Sequence, residues 1–584
     1  MTQELSKIGT LIDQLISYDP KLRYESISKI KLIAKTIGPK RTREEFIPFL
    51  NKIPFDEETK TILLLVTILG EFVDLVGGEE HTHSLFPILL RYATYEDTSV
   101  RDQVIKTLTV LSGLSPNKEF SKHLYLFFKK LCFKKWISSR YTACGIIPIL
   151  YKGIEGKQKE FVLKLFTHFC KNKSTLIRKI ACQTLSKLIL LFDKDLLLQY
   201  ALPKLKQFHK DNQDSVRIQT IEVCVSFAKQ LKDEQIILDE IIPIYQAIAQ
   251  ENSWRVRYLA SKSMCSFSKN LNDTIILEKL LEPFLNLLGD DEPEVRSVGC
   301  TQLYNFCELI KKHPKVIVER IIPKIRDLST DSCEYVKSSL AVSIIKISPI
   351  IGKDETLTNL LSHQITLFSE ESAKINLPLI RNLHYATEVI GIEPLLDAVL
   401  DSINRLSKNV DWRNRVEIIK CVPLIANLFG TEAFNEHLID LCFLWFTDIV
   451  HSVREEATLM IKKLIETFGT KWGNEFIIPK IIELSNNQNH LFRQIAIFTF
   501  VKLAPILGSE YYKGDVIETI VKLGEDPIPN IRIYLINSLI ELSEYINNDE
   551  KETLKKLLES LQEDVDRDVK YFAKQTFEKT QKKN

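Results

Sequence analysis

IIPKIRDLSTDSCEYVKSSLAVSIIKISPIIG, residues 321–352, is one complete copy of a unit that recurs along the whole chain. An apolar helix bearing Pro323 runs into a polar turn with Asp331, and Val336-Lys337 then opens a second helix. Val336, Leu340, Ala341, Ile344, Ile345 and Ser348 fall at the spacing of one buried helical face. The diagnostic pair is the small or apolar residue followed by a base.

The same pair marks helix starts at Arg23, Lys60, Arg101, Arg140, Arg178, Arg217, Arg257, Arg296, Lys337, Lys374, Arg415, Arg454, Arg493, Arg532 and Lys570. That gives about fifteen copies with a period of about 39 residues, and no interval departs from it by more than about two. Fifteen such units use nearly all of the 584 residues, so the expected fold is all-α: a solenoid of tandem helix pairs over 1–584 with no inserted globular domain. The second repeat, turning at FDEETK, carries the weakest marker, Thr59-Lys60.

Composition narrows the function. Lysines and arginines (78) nearly balance aspartates and glutamates (76), so no global field draws nucleic acid or an anionic membrane, and any electrostatic recognition is local. Eleven cysteines are scattered without CxxC pairs and read as small buried residues in a reducing compartment. MTQELSKIGTL has no signal-peptide pattern, so the expected location is the cytoplasm and, secondarily, the nucleus.

Two features recur inside the repeats. Pro48, Pro87, Pro203, Pro243, Pro283, Pro323 and Pro479 sit in first helices, where a missing donor predicts a kink at a constant height. The marker base opposes the helix dipole and therefore needs a partner. Asp211, Glu251, Asp290, Asp331, Asp448, Asp526 and Asp564 each lie six residues before a marker. They are the expected partners, in a ladder that joins the base of the same or the adjacent repeat.

Helix pairs of this length with a proline in the first helix and an Asp…Val-Arg turn resemble HEAT repeats. SWRVRY at 253–258, SPIIGKD at 348–354, DWRNRV at 411–416, TDIVHSVREEAT at 447–458 and DVKYFA at 568–573 are similar to the scaffold (A) subunits of protein phosphatase 2A. The resemblance implies a horseshoe-shaped, non-catalytic scaffold without cofactor or metal. Repeats 11–15, residues 398–584, are expected to hold the phosphatase catalytic subunit; repeats 1–10, residues 1–397, an exchangeable B-type regulatory subunit.

Carried over by motif, the catalytic-subunit site comprises Trp412, Arg413, His451, His490, Arg493, Asn530 and Tyr571. The regulatory-subunit site comprises Ser174, Leu176, Lys179, Trp254 and Arg255. The fifth turn, KNKSTLIRK at 171–179, lacks the family's acidic pair and proline, Lys179 replaces an arginine, and His451 and His490 replace tyrosines. Independently of the resemblance, Trp254 and Trp412 lie in turns beside bases, where the core needs no large aromatic. Packing against the adjacent repeat and service as an interface anchor are both open to them.

Enzymatic motifs are missing. VGGEE at 76–80 and IGKDE at 351–355 lack phosphate-loop spacing and read as helix ends capped by glycine; HTH at 81–83 reads as a surface turn; and FKKLCFKKW at 128–136 reads as a solvated helix edge. A transport receptor of the importin-β type is the alternative from another class, and the near-neutral charge and regular period argue against it.

Overall fold

A helix with one apolar stripe must bury it, and in this chain each second helix does so between its own first helix and the second helix of the adjacent repeat. The computed structural model describes residues 2–54 and 58–583, all of its regular structure helical, with no strand among the described residues. The chain divides into two compact units, 1–295 and 296–584.

In the second unit, Glu334–Ile351 is the second helix of the repeat quoted first, and all six residues expected on its buried face are fully inaccessible. Each large aliphatic among them contributes roughly 2 kcal/mol of burial. Ser348 is kept in that face by a 3.0 Å bond from the Gln364 amide.

Many of the first helices are built in three pieces: a short α-turn, a five-residue π-helical turn and a final α-helix. In the first unit, Leu197–Ala201, Ile237–Ile241 and Ile276–Leu280 are π turns that precede Leu202–His209, Ile242–Ala249 and Leu281–Leu288. Pro203, Pro243 and Pro283 occupy the second or third residue of those helices, directly after the wide turn. The second unit repeats the arrangement at Pro323 and Pro479, and Pro48 has it near the start of the chain. A proline ring crowds the preceding turn and offers no N–H, and an i→i+5 turn gives it room. Thr356–Leu360 is also a π turn, yet Leu361-Ser362 follows it without proline. The wide turn therefore does not require proline, and first helices such as Lys118–Phe133, Lys157–Cys170 and Asp515–Gly524 run without such a turn. Pro87 differs, following the 3₁₀ helix Glu79–Leu85.

Between repeats of the second unit, Gly352, Gly391, Gly430, Gly469 and Gly508 end successive second helices at φ between 74 and 94°. With ψ near 170° this backbone region is closed to residues with a Cβ, which explains glycine at one position of each copy. In the first unit Gly38 adopts the same conformation, whereas three later turns use polar caps: Asp193, Asp233 and Asn272 each accept the third backbone N–H of the following helix.

All eleven cysteines are free thiols, most of them buried, and burial pushes Cys132, Cys170 and Cys265 up to about 12. His83 of the HTH segment lies in the 3₁₀ helix Glu79–Leu85 and stacks on His123, ring centroids 4.2 Å apart. No three metal-ligating side chains converge among the described residues. One helix, His490–Leu507, has the length and hydropathy to cross a membrane, but half of it is buried inside the fold.

Candidate functional site

The turn between the two helices of each repeat is fixed by the expected ladder, with a division of labour that spacing alone leaves open. Each acid bonds the marker base of the preceding repeat, and the backbone carbonyls of Asp211, Glu251, Asp448 and Asp526 also accept from the arginine six residues later. In the first unit, Asp211 takes two bonds from Arg178 at 2.6 and 3.0 Å, while the Asp211 carbonyl accepts from Arg217 at 2.8 Å. Arg217 in turn reaches Glu251, and Arg257 reaches Asp290 at 2.6 and 2.8 Å. In the second unit the rungs are Arg296–Asp331, Lys337–Glu370, Arg415–Asp448, Arg493–Asp526 and Arg532–Asp564. Turn carbonyls and a neighbour's carboxylate thus neutralise the cation that the helix dipole disfavours. Burial pushes Asp211, Asp331 and Asp564 up, but their arginine hydrogen bonds prevail and hold all three below the ordinary carboxylate value.

Two expected markers are out of register. Lys374 is exposed, and the buried Asn376 takes the marker's place, its amide donating to the Glu370 carbonyl at 2.6 Å. Lys60 is also exposed, and Ile62 replaces it, because the Thr107 hydroxyl bonds the Val66 carbonyl as Thr184 bonds that of Cys144. The FDEETK turn can be followed only from Glu58, which pairs with Arg23; Phe55, Asp56 and Glu57 lie outside the described residues.

The ladder also has gaps. Arg101 and Arg454 are 2% and 3% exposed, and the Nε of each meets no acceptor. Lys134 and Asn487 stand where their carboxylate partners belong. Burial pushes both guanidinium groups down. Arg101 is compensated by carbonyl bonds to Tyr95 and Glu96 and by the Tyr141 ring 4.8 Å away.

Held by this frame, the N-termini of successive second helices line up along one edge of each unit. In the first unit these helices include Ile137–Gly153, Thr175–Ile189 and Trp254–Ser268; in the second they include Trp412–His437, His451–Phe468, His490–Leu507, Pro529–Leu542 and Arg567–Lys583. Trp254 and Trp412 are the first residues of their helices, half-buried after extended cap residues. Arg255 lies over the Trp254 ring at 5.0 Å, and Arg413 lies over Trp412 at 4.6 Å. Each exposed cation thus lies within cation–π distance of an indole at the edge.

His451, Asn530 and Tyr571 are exposed on the edge of the second unit, with His490 half-buried among them. Arg493 is different. It is 9% exposed and its guanidinium is engaged by Asp526 and by the Asn487 and Gln488 carbonyls, so it shapes the turn rather than facing outward. In the first unit Ser174 precedes the first residue of Thr175–Ile189, and Leu176 and Lys179 are half-buried on its first turns.

Sequence reasoning passed over three apolar residues on the second edge. Val410, Ile449 and Val565 are almost completely exposed, each five residues before its marker. Comparable turns of other repeats carry Asn212, Asn252, Asp291 or Ser332 at that position, and this register-by-register contrast was the available signal. FKKLCFKKW is likewise more than a solvated helix edge. It ends the helix Lys118–Phe133 and turns, leaving Phe133 and Trp136 81% and 71% exposed.

Comparison with known proteins follows the same lines. A family model described as PPP2R1A-like HEAT repeat matches residues 273–352. The human beta isoform of the 65 kDa A-type regulatory subunit of serine/threonine-protein phosphatase 2A is 33% identical over 387 residues, 66% of this chain and 64% of that protein. The chain is similar to the HEAT-repeat regulatory A subunits of phosphatase 2A. A probable phosphatase PP2A regulatory subunit of Caenorhabditis elegans is 33% identical over 39% of this chain and 38% of its own length. The A-type PP2A regulatory subunit of Schizosaccharomyces pombe is 32% identical over 40% of each. The matched stretches thus span less than two thirds of these relatives, all of them named as regulatory subunits. Among solved structures, yeast importin-β (Kap95p) aligns with a TM-score of 0.56 at 12% identity, covering 98% of this chain and 81% of that one. That likeness is one of fold alone.

Proposed function

We propose that the chain is a non-catalytic cytoplasmic scaffold of a phosphatase 2A-type Ser/Thr phosphatase. In this reading the turn edge of repeats 11–15 holds the catalytic subunit, and turns within residues 1–397 hold an exchangeable B-type regulatory subunit. The observation that carries it is the second unit's edge. There the Trp412-Arg413 stack stands beside exposed Val410, and exposed Ile449 and Val565 recur at the same register further along it. Apolar side chains exposed at one repeat position contribute nothing to the fold and gain by desolvation against a partner.

Trp254 and Arg255 repeat the stack in the first unit, which supports a second, separate anchor there. Two anchors on different repeats allow two partners to be held at once. The test is simultaneous loading: once purified phosphatase 2A catalytic subunit has saturated the immobilised chain, B-type regulatory protein should still bind. Competition for one site would defeat the reading.

A further inference from the structure

We propose that the turns of the fourth and fifth repeats form a basic, apolar-tipped surface that docks an acidic segment carrying an apolar anchor. This deepens the reading of the first unit as the regulatory-subunit site and rests on it for the partner's identity. The chemistry follows from the residues themselves. From Phe120 to Phe192 the chain carries fifteen lysines and arginines against two acids, Glu155 and Glu160, within a protein whose net charge is only +2. The helices Ile137–Gly153 and Thr175–Ile189 pack together, which sets their two turns side by side.

Both ladder positions in these turns have lost their acid, to Lys134 and Asn172. The changes that interrupt the rungs therefore also strip the edge of negative charge. Lys130, Lys135, Lys171 and Lys173 are exposed and none is held in an ion pair. Among them project Phe133, Trp136 and Ile137, which are 81, 71 and 51% exposed. Trp136 precedes the first helical residue and makes no side-chain cap. An exposed aromatic cluster ringed by unpaired cations is unfavourable alone and complementary to an acidic, apolar ligand.

Along the same edge of this unit the charge reverses: the eighth turn reads DDEPE at 290–294. An extended nucleic-acid strand or a flat anionic bilayer would meet repulsion there, whereas a folded protein can match both signs. That alternation selects a protein segment as the occupant.

The test uses the full chain and a labelled 15-residue peptide of alternating glutamate and leucine, with a glutamine-for-glutamate peptide as control, read by fluorescence anisotropy. The acidic peptide should bind at least tenfold more tightly than the control. Lys135→Glu with Lys173→Glu should weaken it at least tenfold, and Trp136→Ala should weaken it without changing its salt dependence. Circular dichroism checks that each variant remains folded. Equal binding of the two peptides, or indifference to the lysine changes, overturns the proposal. So does tighter binding of phosphatidylserine vesicles or single-stranded DNA than of the peptide. Failure here with the catalytic subunit still bound leaves the scaffold reading intact, and peptide binding without catalytic-subunit binding does the reverse.

Discussion

Arg454 and Asn487 occupy the positions at which Arg415 meets Asp448 and Arg493 meets Asp526, yet the Arg454 Nε has no acceptor. In those neighbouring rungs one carboxylate oxygen accepts a turn N–H and the other accepts from Nε. Asn487 keeps the first bond, from the Asn489 N–H at 2.9 Å, and lacks the second oxygen.

Asn487→Asp restores that oxygen. Because the guanidinium is already buried, only the new carboxylate must be dehydrated, and the variant should be more stable by about 1–2 kcal/mol. A urea midpoint that does not rise would show that the gap is not a missing hydrogen bond.

Removing an intact rung should do the opposite. Asp290→Ala takes both bonds from Arg257 and leaves a partly buried cation with carbonyl partners only. A loss of about 2 kcal/mol is expected, larger than a simple cap effect. An unchanged melting profile would contradict the ladder.

The same rungs set an acid limit. A carboxylate held below its unfolded value binds fewer protons when folded, so its stabilisation is full above about pH 4 and is lost as pH falls through the folded value. Asp211, Asp331 and Asp564 are such groups. Thermal midpoints should fall below about pH 4, and less steeply once Asp211 and Asp331 are replaced by asparagine. Equal slopes would place the acid sensitivity elsewhere.

Gly469 adopts φ 94°, and a Cβ built there would meet no atom within 4 Å. Gly469→Ala should therefore cost about 1–3 kcal/mol through the backbone alone. A neutral result would mean that the inter-repeat turn relaxes freely.

The period and the buried face were legible because burial repeats: all six core positions read from residues 321–352 are inaccessible. The two register errors were legible too, since Lys60 and Lys374 each make one interval of 37 followed by one of 41. Direction within the ladder was not, because an acid six residues ahead of a base fits either the same or the adjacent repeat. Nor was the π turn, which recurs at Thr356–Leu360 without proline. The tryptophan-arginine pairs were visible as dipeptides, and only geometry shows each guanidinium over its ring. Val410, Ile449 and Val565 escaped notice because a β-branched residue beside a helix start reads as core until its exposure is known.

The scaffold account is tested most directly by calorimetric titration of purified phosphatase 2A catalytic subunit into the full chain and into its Trp412→Ala variant. One-to-one binding that the substitution weakens by about 2 kcal/mol is the predicted result. No binding by the folded chain, or equal affinity for the variant, would contradict it.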